Sequence, residues 1–114
     1  MIVRVWHGRT TLQKADEYAA FLVRRAIPDY RATEGNLGAF VLQRREEHAA
    51  HFLTVSLWPS VEAIMRFAGD NYDLAKYYDE DEAYLLEFET TVKHYDLEGG
   101  DYVSDNALRK AIGL

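Results

Sequence analysis

The sequence predicts an α+β domain in which helices cover one face of an antiparallel sheet. The apolar patterns follow one another in the order strand, helix, strand, strand, helix, short helices, strand. The second and third strand patterns are joined by a short polar loop, which indicates an antiparallel hairpin. The third strand pattern also runs directly into an amphipathic helix. This β-α-β-β-α-β order is that of the ferredoxin-like fold.

The composition describes one folded domain and excludes several functional classes. A chain of 114 residues that is 48% apolar can bury one core. Its net charge of −6 argues against general nucleic-acid binding, which needs a basic face. It has no cysteine, so disulfides and thiolate metal sites are excluded. Because it has neither an apolar run of about 20 residues nor a signal-peptide pattern, we expect a cytoplasmic protein with no membrane partner.

The first strand and the first helix are predicted from the N-terminal third of the chain. Residues 1–8 (MIVRVWHG) are β-branched and aromatic, and Gly8 is expected to end the strand. Thr10 or Thr11 is expected to cap the helix that follows. Pro28 is expected to break or kink this helix at the preceding residue. The apolar stripe of the helix consists of Leu12, Ala15, Ala19, Leu22 and Ala26.

The central hairpin and the second helix have the clearest local signals. Residues 39–45 and 52–58 are the two strands of the hairpin. Pro59 ends the second of them because it has no N–H to donate to the sheet. Ser60 then caps a helix, and Gly69 closes it.

The last third of the chain predicts short elements. The acidic run 79–82 is expected to cap a short helix that reaches about Phe88, and to lie in solvent. Residues 90–97 alternate and form the last strand. The compact domain is therefore expected to span residues 1–98. Residues 99–114 are a tail with a weak helical pattern.

The strands also predict a partner for the sheet. Because they are rich in Phe, Leu and Val, we expect both faces of the sheet to be covered. A second copy of the chain is the simplest cover for the face that carries no helices. We therefore expect a homodimer formed through this face.

Residues 1–97 resemble the antibiotic biosynthesis monooxygenase superfamily. The resemblance depends on the segment 54–63 (TVSLWPSVEA), on the first strand and on the last strand around His94. It implies a dimeric α+β barrel, in which the sheets of two subunits face each other. It also implies a pocket between sheet and helices in each subunit. Some members of the superfamily oxidise polycyclic aromatic compounds with molecular oxygen and without a metal or flavin, and others bind and cleave heme.

Heme binding is the least favoured of these activities. The heme-cleaving members that the chain resembles use an asparagine on the first strand, a tryptophan late in the second helix and a histidine soon after it. Here the first-strand position falls at Trp6 or His7, and the late-helix position falls at Phe67. The region that follows offers tyrosines but no histidine. We therefore predict no cofactor.

His7 is the predicted catalytic residue, because an imidazole suits the deprotonation of a phenol or hydroquinone near neutral pH. A solvated or backbone-bonded histidine is the structural alternative.

No metal site is predicted, because His48, His51 and His94 lack the spacing of zinc ligands. The residues predicted to line an apolar substrate pocket are Trp6, Phe67, Tyr72, Tyr77 and Tyr78. The structural alternative for the tyrosines is a place in the core or in the dimer interface.

Two functional hypotheses follow. The first is a cofactor-independent monooxygenase that acts on a small phenol- or quinol-like aromatic. The second is a dimer that binds a small hydrophobic ligand without catalysis. Arg4 bears on both, because a charge on an apolar strand needs an acidic partner, water or an anionic ligand.

Overall fold

A computed structural model describes all residues, 1–114, and shows an α+β fold built on one antiparallel sheet. The strands are β1 (Ile2–Thr10), β2 (Gly38–Arg45), β3 (Ala50–Trp58) and β4 (Lys93–Asp96). Their order in the sheet is β2-β3-β1-β4, and every neighbouring pair is antiparallel. This arrangement is compatible with the predicted ferredoxin-like fold.

The two faces of the sheet differ in what covers them. On β1 and β3, every second residue is buried beneath the helices, and we call this face the helix side. The residues between them are half-buried, and their face, the open face, carries no helix. The pairs Val5↔Val55 and Leu42↔Leu53 lie on the open face. Its other apolar residues are Val3, Phe40, Leu57 and Tyr95.

Strand β1 is longer than predicted, since it continues past Gly8 to Thr10. Gly8 is buried on the helix side, and a Cβ atom placed there would lie 2.5 Å from the indole of Trp6. The glycine therefore makes room for an aromatic side chain two residues earlier and does not end the strand.

The first helical region covers residues 12–32 and does not break at Pro28, but a π-helical turn distorts it just before this proline, where a break or a kink was predicted. Its α-helical parts are α1 (Ala15–Phe21) and α2 (Ile27–Ala32), joined by a π-helical turn. In this turn the N–H of Ile27 donates to the carbonyl of Leu22, five residues earlier. A wider turn relieves the clash between a proline ring and the preceding turn, so the helix passes through Pro28. The predicted threonine cap is wrong, because Thr11 makes no side-chain capping bond.

The corner after β3 follows the prediction. Ser60 Oγ accepts a hydrogen bond from the N–H of Ala63 at 3.2 Å and starts α3 (Val61–Ala68). Gly69 ends α3 with φ of 87°, a conformation that favours glycine. Trp58 is fully buried at the corner and donates to Ser56 Oγ at 2.9 Å.

Residues 70–92 form an irregular covering segment over the helix side of the sheet. The predicted helix to Phe88 is only a 3-10 turn, Asp79–Ala83. The start of this turn is held by Asp81, whose side chain accepts from the N–H of Tyr78, rather than by the first acid of the run. The last strand is four residues long because the covering segment continues to Val92. The tail contains α4 (Asp105–Ala111), and no helix of the chain is long and apolar enough to cross a bilayer.

Candidate functional site

The structure brings most of the predicted pocket residues together but separates them from His7. Four of the five lie on the helix side, around the buried Tyr30: Trp6, Phe67, Tyr77 and Tyr78. Tyr72 lies farther along the same side, beside Arg4. His7 belongs to the open face, so the sheet stands between it and the aromatic cluster.

The aromatic cluster is closely packed. The ring of Tyr30 stacks on Phe67 with 4.3 Å between the centroids, and its hydroxyl lies 2.9 Å from Thr54 Oγ1. Trp6 meets Tyr77 edge-on, and its buried indole N–H has no hydrogen-bond partner. A void of about 10 Å³ remains between these groups, which is room for about one water molecule. The centre of the helix side is therefore closed to a ligand.

Asp81 borders this void and is almost fully buried, although its sequence neighbours are exposed. It accepts hydrogen bonds from the Tyr18 hydroxyl at 2.8 Å and from the Tyr78 N–H at 2.7 Å. Burial raises the pKa of Asp81, and these two donors only partly oppose the effect. Burial and the nearby carboxyl also raise the pKa of Tyr18. Asp81 therefore ties the covering segment to α1.

A second acid holds the covering segment to α2. Asp29 accepts hydrogen bonds from the Tyr78 hydroxyl at 2.6 Å and from Lys76 Nζ at 3.0 Å. Burial favours a higher pKa of Asp29, but the two donors and the charge of Lys76 outweigh it, and the pKa is lowered. The ammonium of Lys76 also lies over the ring of Phe67, 4.3 Å from its centroid.

Arg4 is the most unusual residue on the helix side, because it is a buried cation with no bonded carboxylate. Its side chain is only 1% exposed. Nη1 donates to the carbonyl of Tyr72 at 2.5 Å, and Nη2 donates to the carbonyl of Leu74 at 3.1 Å. Nε has no hydrogen-bond partner. Burial lowers the pKa of Arg4.

His94 on β4 completes this cluster. Its Nε2 lies 3.1 Å from Arg4 Nη1. Arginine can only donate, so Nε2 accepts, and the proton of the neutral ring is on Nδ1. Nδ1 faces Asp73 Oδ1 at 3.4 Å. Burial and the charge of Arg4 lower the pKa of His94, which keeps its ring neutral.

A cavity of about 200 Å³, the edge cavity, lies beside this cluster at the β4 edge of the sheet, next to α3. Two residues that bond Arg4, Tyr72 and His94, form part of its wall. Their rings meet edge-on with 5.3 Å between centroids. The complete lining is Ile2, Val61, Ile64, Tyr72, His94, Tyr95 and Asp96. A mostly apolar wall with a few polar groups is typical of small-molecule sites.

His7 belongs to a polar row that crosses one end of the open face. Its Nδ1 contacts the carboxylate of Glu89, and its Nε2 lies 2.9 Å from Nδ1 of His51. His51 Nε2 in turn lies 3.6 Å from a carboxylate oxygen of Glu46. Two depressions of about 410 Å³ each meet at His7 and Leu53. The imidazole of His7 is thus engaged on both nitrogens and points away from the edge cavity.

Two important residues of the helix side were missed or misplaced by the sequence interpretation. Asp81 was expected in solvent with the other acids of its run, and no local pattern marks it, because its burial depends on Tyr18 of α1. His94 was considered only for the resemblance and as a histidine that lacks zinc-ligand spacing. Its alternation on β4 with the exposed Lys93 and Tyr95 turns it towards the covered side.

No group of three or more histidine and acidic side chains is arranged to hold a metal ion. Comparison with protein-family models gives no match, and comparison with curated proteins gives none either. Membership of the resembled superfamily therefore stays a prediction.

Proposed function

We propose that this protein binds a small phenol- or quinol-like aromatic molecule in the edge cavity and oxidises it with molecular oxygen without a cofactor. The observation that carries the proposal is the edge cavity itself, an aromatic- and aliphatic-lined space between sheet and helix beside the Arg4–His94 cluster. The position agrees with the pocket that the resemblance implies.

The volume of the edge cavity limits the size of the ligand. An apolar cavity of about 150 Å³ is enough for benzene. At about 200 Å³, the edge cavity suits one substituted ring and is too small for a fused polycyclic compound. The proposed substrate is therefore smaller than the polycyclic aromatics that some members of the superfamily oxidise.

In the proposed reaction, the substrate supplies all the electrons. A ring C–H ortho or para to a hydroxyl group becomes a carbonyl, and that hydroxyl group becomes the second carbonyl of a quinone; one oxygen atom of O₂ enters the product, and the other leaves as water with the hydrogens of the C–H and O–H bonds. The contribution of the protein is to orient the ring against Tyr72 and Ile64. The buried cation of Arg4 favours an ionised oxygen on the substrate, which is the electron-rich form that reacts with oxygen.

Binding without catalysis is the second candidate, and one observation favours it. The only imidazole on the wall of the edge cavity, His94, has its Nε2 engaged by Arg4, and His7 lies on the opposite face of the sheet. No histidine base therefore stands free at the cavity. The protein would then hold the aromatic without transforming it.

We also propose that a second copy of the chain covers the open face, as the resemblance implies. Eight apolar side chains project from this face, which no helix of residues 1–98 covers, although Phe40 lines a groove with the tail. Exposed apolar patches of this kind mark association surfaces. The eight are Val3, Val5, Phe40, Leu42, Leu53, Val55, Leu57 and Tyr95.

The proposed function is tested by calorimetric titration with catechol and methylhydroquinone, together with an oxygen electrode. We expect saturable binding, and oxygen consumption above the rate without protein. Val61→Phe fills the edge cavity and should abolish both signals. The matched control is Val23→Phe, which places the same side chain on an exposed helix surface.

The possible outcomes separate the two candidates. Binding without oxygen uptake supports the non-catalytic protein. Absence of saturable binding to either compound, or binding that Val61→Phe leaves unchanged, contradicts a site in the edge cavity.

A further inference from the structure

We infer that the ligand of the edge cavity carries a negative charge, and that Arg4 is the residue that recognises it. The inference rests on the proposed function, since it assigns a chemical class to the ligand of that site. An aromatic carboxylate or a phenolate has the required chemistry.

The first step of the argument is the charge balance around Arg4. Its guanidinium is buried, yet its partners are two main-chain carbonyls and a neutral imidazole. The nearest acid, Asp73, makes no bond to Arg4, and its side chain is 67% exposed. Other arginines of the chain that bond acids do so near the surface, as Arg9 does with Glu87. Arg4 is thus a buried cation without an anionic partner.

The second step concerns the free donor. Buried N–H groups nearly always have partners, so the unpaired Nε of Arg4 calls for an acceptor. Isolating a charge in the interior costs several kcal/mol, which a bonded anion would offset. A guanidinium binds a carboxylate through two parallel hydrogen bonds. A carboxylate would therefore supply the acceptor that Nε of Arg4 lacks.

The third step is access from the edge cavity. Tyr72 and His94 bond Arg4 on one side and line the cavity on the other. His94 is half-buried and lies on a short edge strand, so rotation of its side chain would open a path from the cavity to the guanidinium of Arg4. Asp96 also lines the cavity and opposes an anion, but it is exposed, and solvent screens its charge.

The test compares two ligands that differ in charge and little in shape, 4-hydroxybenzoate and 4-hydroxybenzamide, by calorimetric titration of the full chain at neutral pH. We expect the wild type to bind the carboxylate at least tenfold more tightly than the amide. Arg4→Gln should reduce the ratio of the two dissociation constants to about one, and Arg4→Lys should keep part of the preference. Arg66→Gln is the matched control, because it removes an exposed arginine, and it should leave the ratio unchanged.

The outcomes distinguish this inference from the proposed function. Equal binding of both compounds by the wild type overturns the role of Arg4 and leaves an aromatic site in place. Binding of neither compound overturns the role of Arg4, and the titrations with catechol and methylhydroquinone then decide the proposed function. A preference that survives Arg4→Gln assigns anion recognition to another residue. If Arg4→Gln does not fold, the wild-type ratio and the Arg4→Lys ratio decide.

Discussion

Two buried ionisable side chains, Arg4 and Asp81, stand out at the scale of single residues. Both are at most 2% exposed, and neither is bonded to a group of opposite charge. Their hydrogen bonds go to backbone and to neutral side chains. Arg4 retains an unpaired donor, whereas both oxygens of Asp81 are bonded. This difference is why we assign a ligand to Arg4 and a structural role to Asp81.

The structural role of Asp81 predicts a particular pH dependence of stability. Because burial raises its pKa in the folded state, the folded chain holds this proton more tightly than the unfolded chain. The associated stability is fully present below the ordinary aspartate pKa of about 4 and is lost as the pH rises through the higher folded pKa. Asp81→Asn does not ionise. The wild type should therefore lose stability relative to Asp81→Asn as the pH rises through this window.

Urea unfolding of both proteins at a series of pH values measures this difference. Asp79→Asn, an exposed position in the same turn, is the control and should show no such trend. If the difference in the free energy of unfolding between the wild type and Asp81→Asn stays constant with pH, then Asp81 has the same pKa in the folded and unfolded chains.

At the scale of elements, strand β1 depends on the absence of a side chain at Gly8. Gly8→Ala would place a Cβ atom 2.5 Å from Trp6 and 2.9 Å from Leu85, in a buried part of the sheet. We expect the free energy of unfolding to fall by about 1–3 kcal/mol, as for other overpacked cores. Gly99→Ala has open space around it and should change stability by less than about 0.5 kcal/mol.

Chemical denaturation of the two variants tests this prediction. A Trp6→Leu background removes the indole that the new methyl group would meet, so the effect of Gly8→Ala should shrink there. An equal loss of stability in both backgrounds would place the cause in the backbone of β1.

Elements with local signals could be predicted, and those that depend on distant contacts could not. Helix α3 has a proline, a capping serine and a closing glycine within one segment, and all three act as predicted. The helix through Pro28 depends on a π-helical turn that no local pattern announces. The edge cavity likewise could not be predicted, because Ile2, Ile64 and His94 meet there only through the strand order.

The whole molecule presents an uncovered apolar sheet face, and this predicts its assembly. We expect the wild type to have the mass of two chains by size-exclusion chromatography with light scattering. Leu53→Glu puts a charge among the apolar side chains of the open face and should give a folded monomer, because burying a charge in a sheet-to-sheet interface is costly. Val23→Glu is the matched control at an exposed helix position.

Circular dichroism of Leu53→Glu confirms that the variant is folded. A monomeric wild type, or a dimer that Leu53→Glu leaves intact, would contradict assembly through the open face. In the tail, Leu108 and Ile112 line a groove with Ile27 and Phe40 of their own chain.

The strand order has a further consequence for how the chain is made and folded. Strand β1 is synthesised before both of its neighbours in the sheet, because β3 and β4 lie far later in the sequence. Pairings between such distant segments require large loops to close, and they slow folding. On the ribosome β1 therefore has no sheet partner until β3 has emerged, and its second edge stays unpaired until β4 has emerged. An apolar strand that stays unpaired during this time must be kept from associating with other chains.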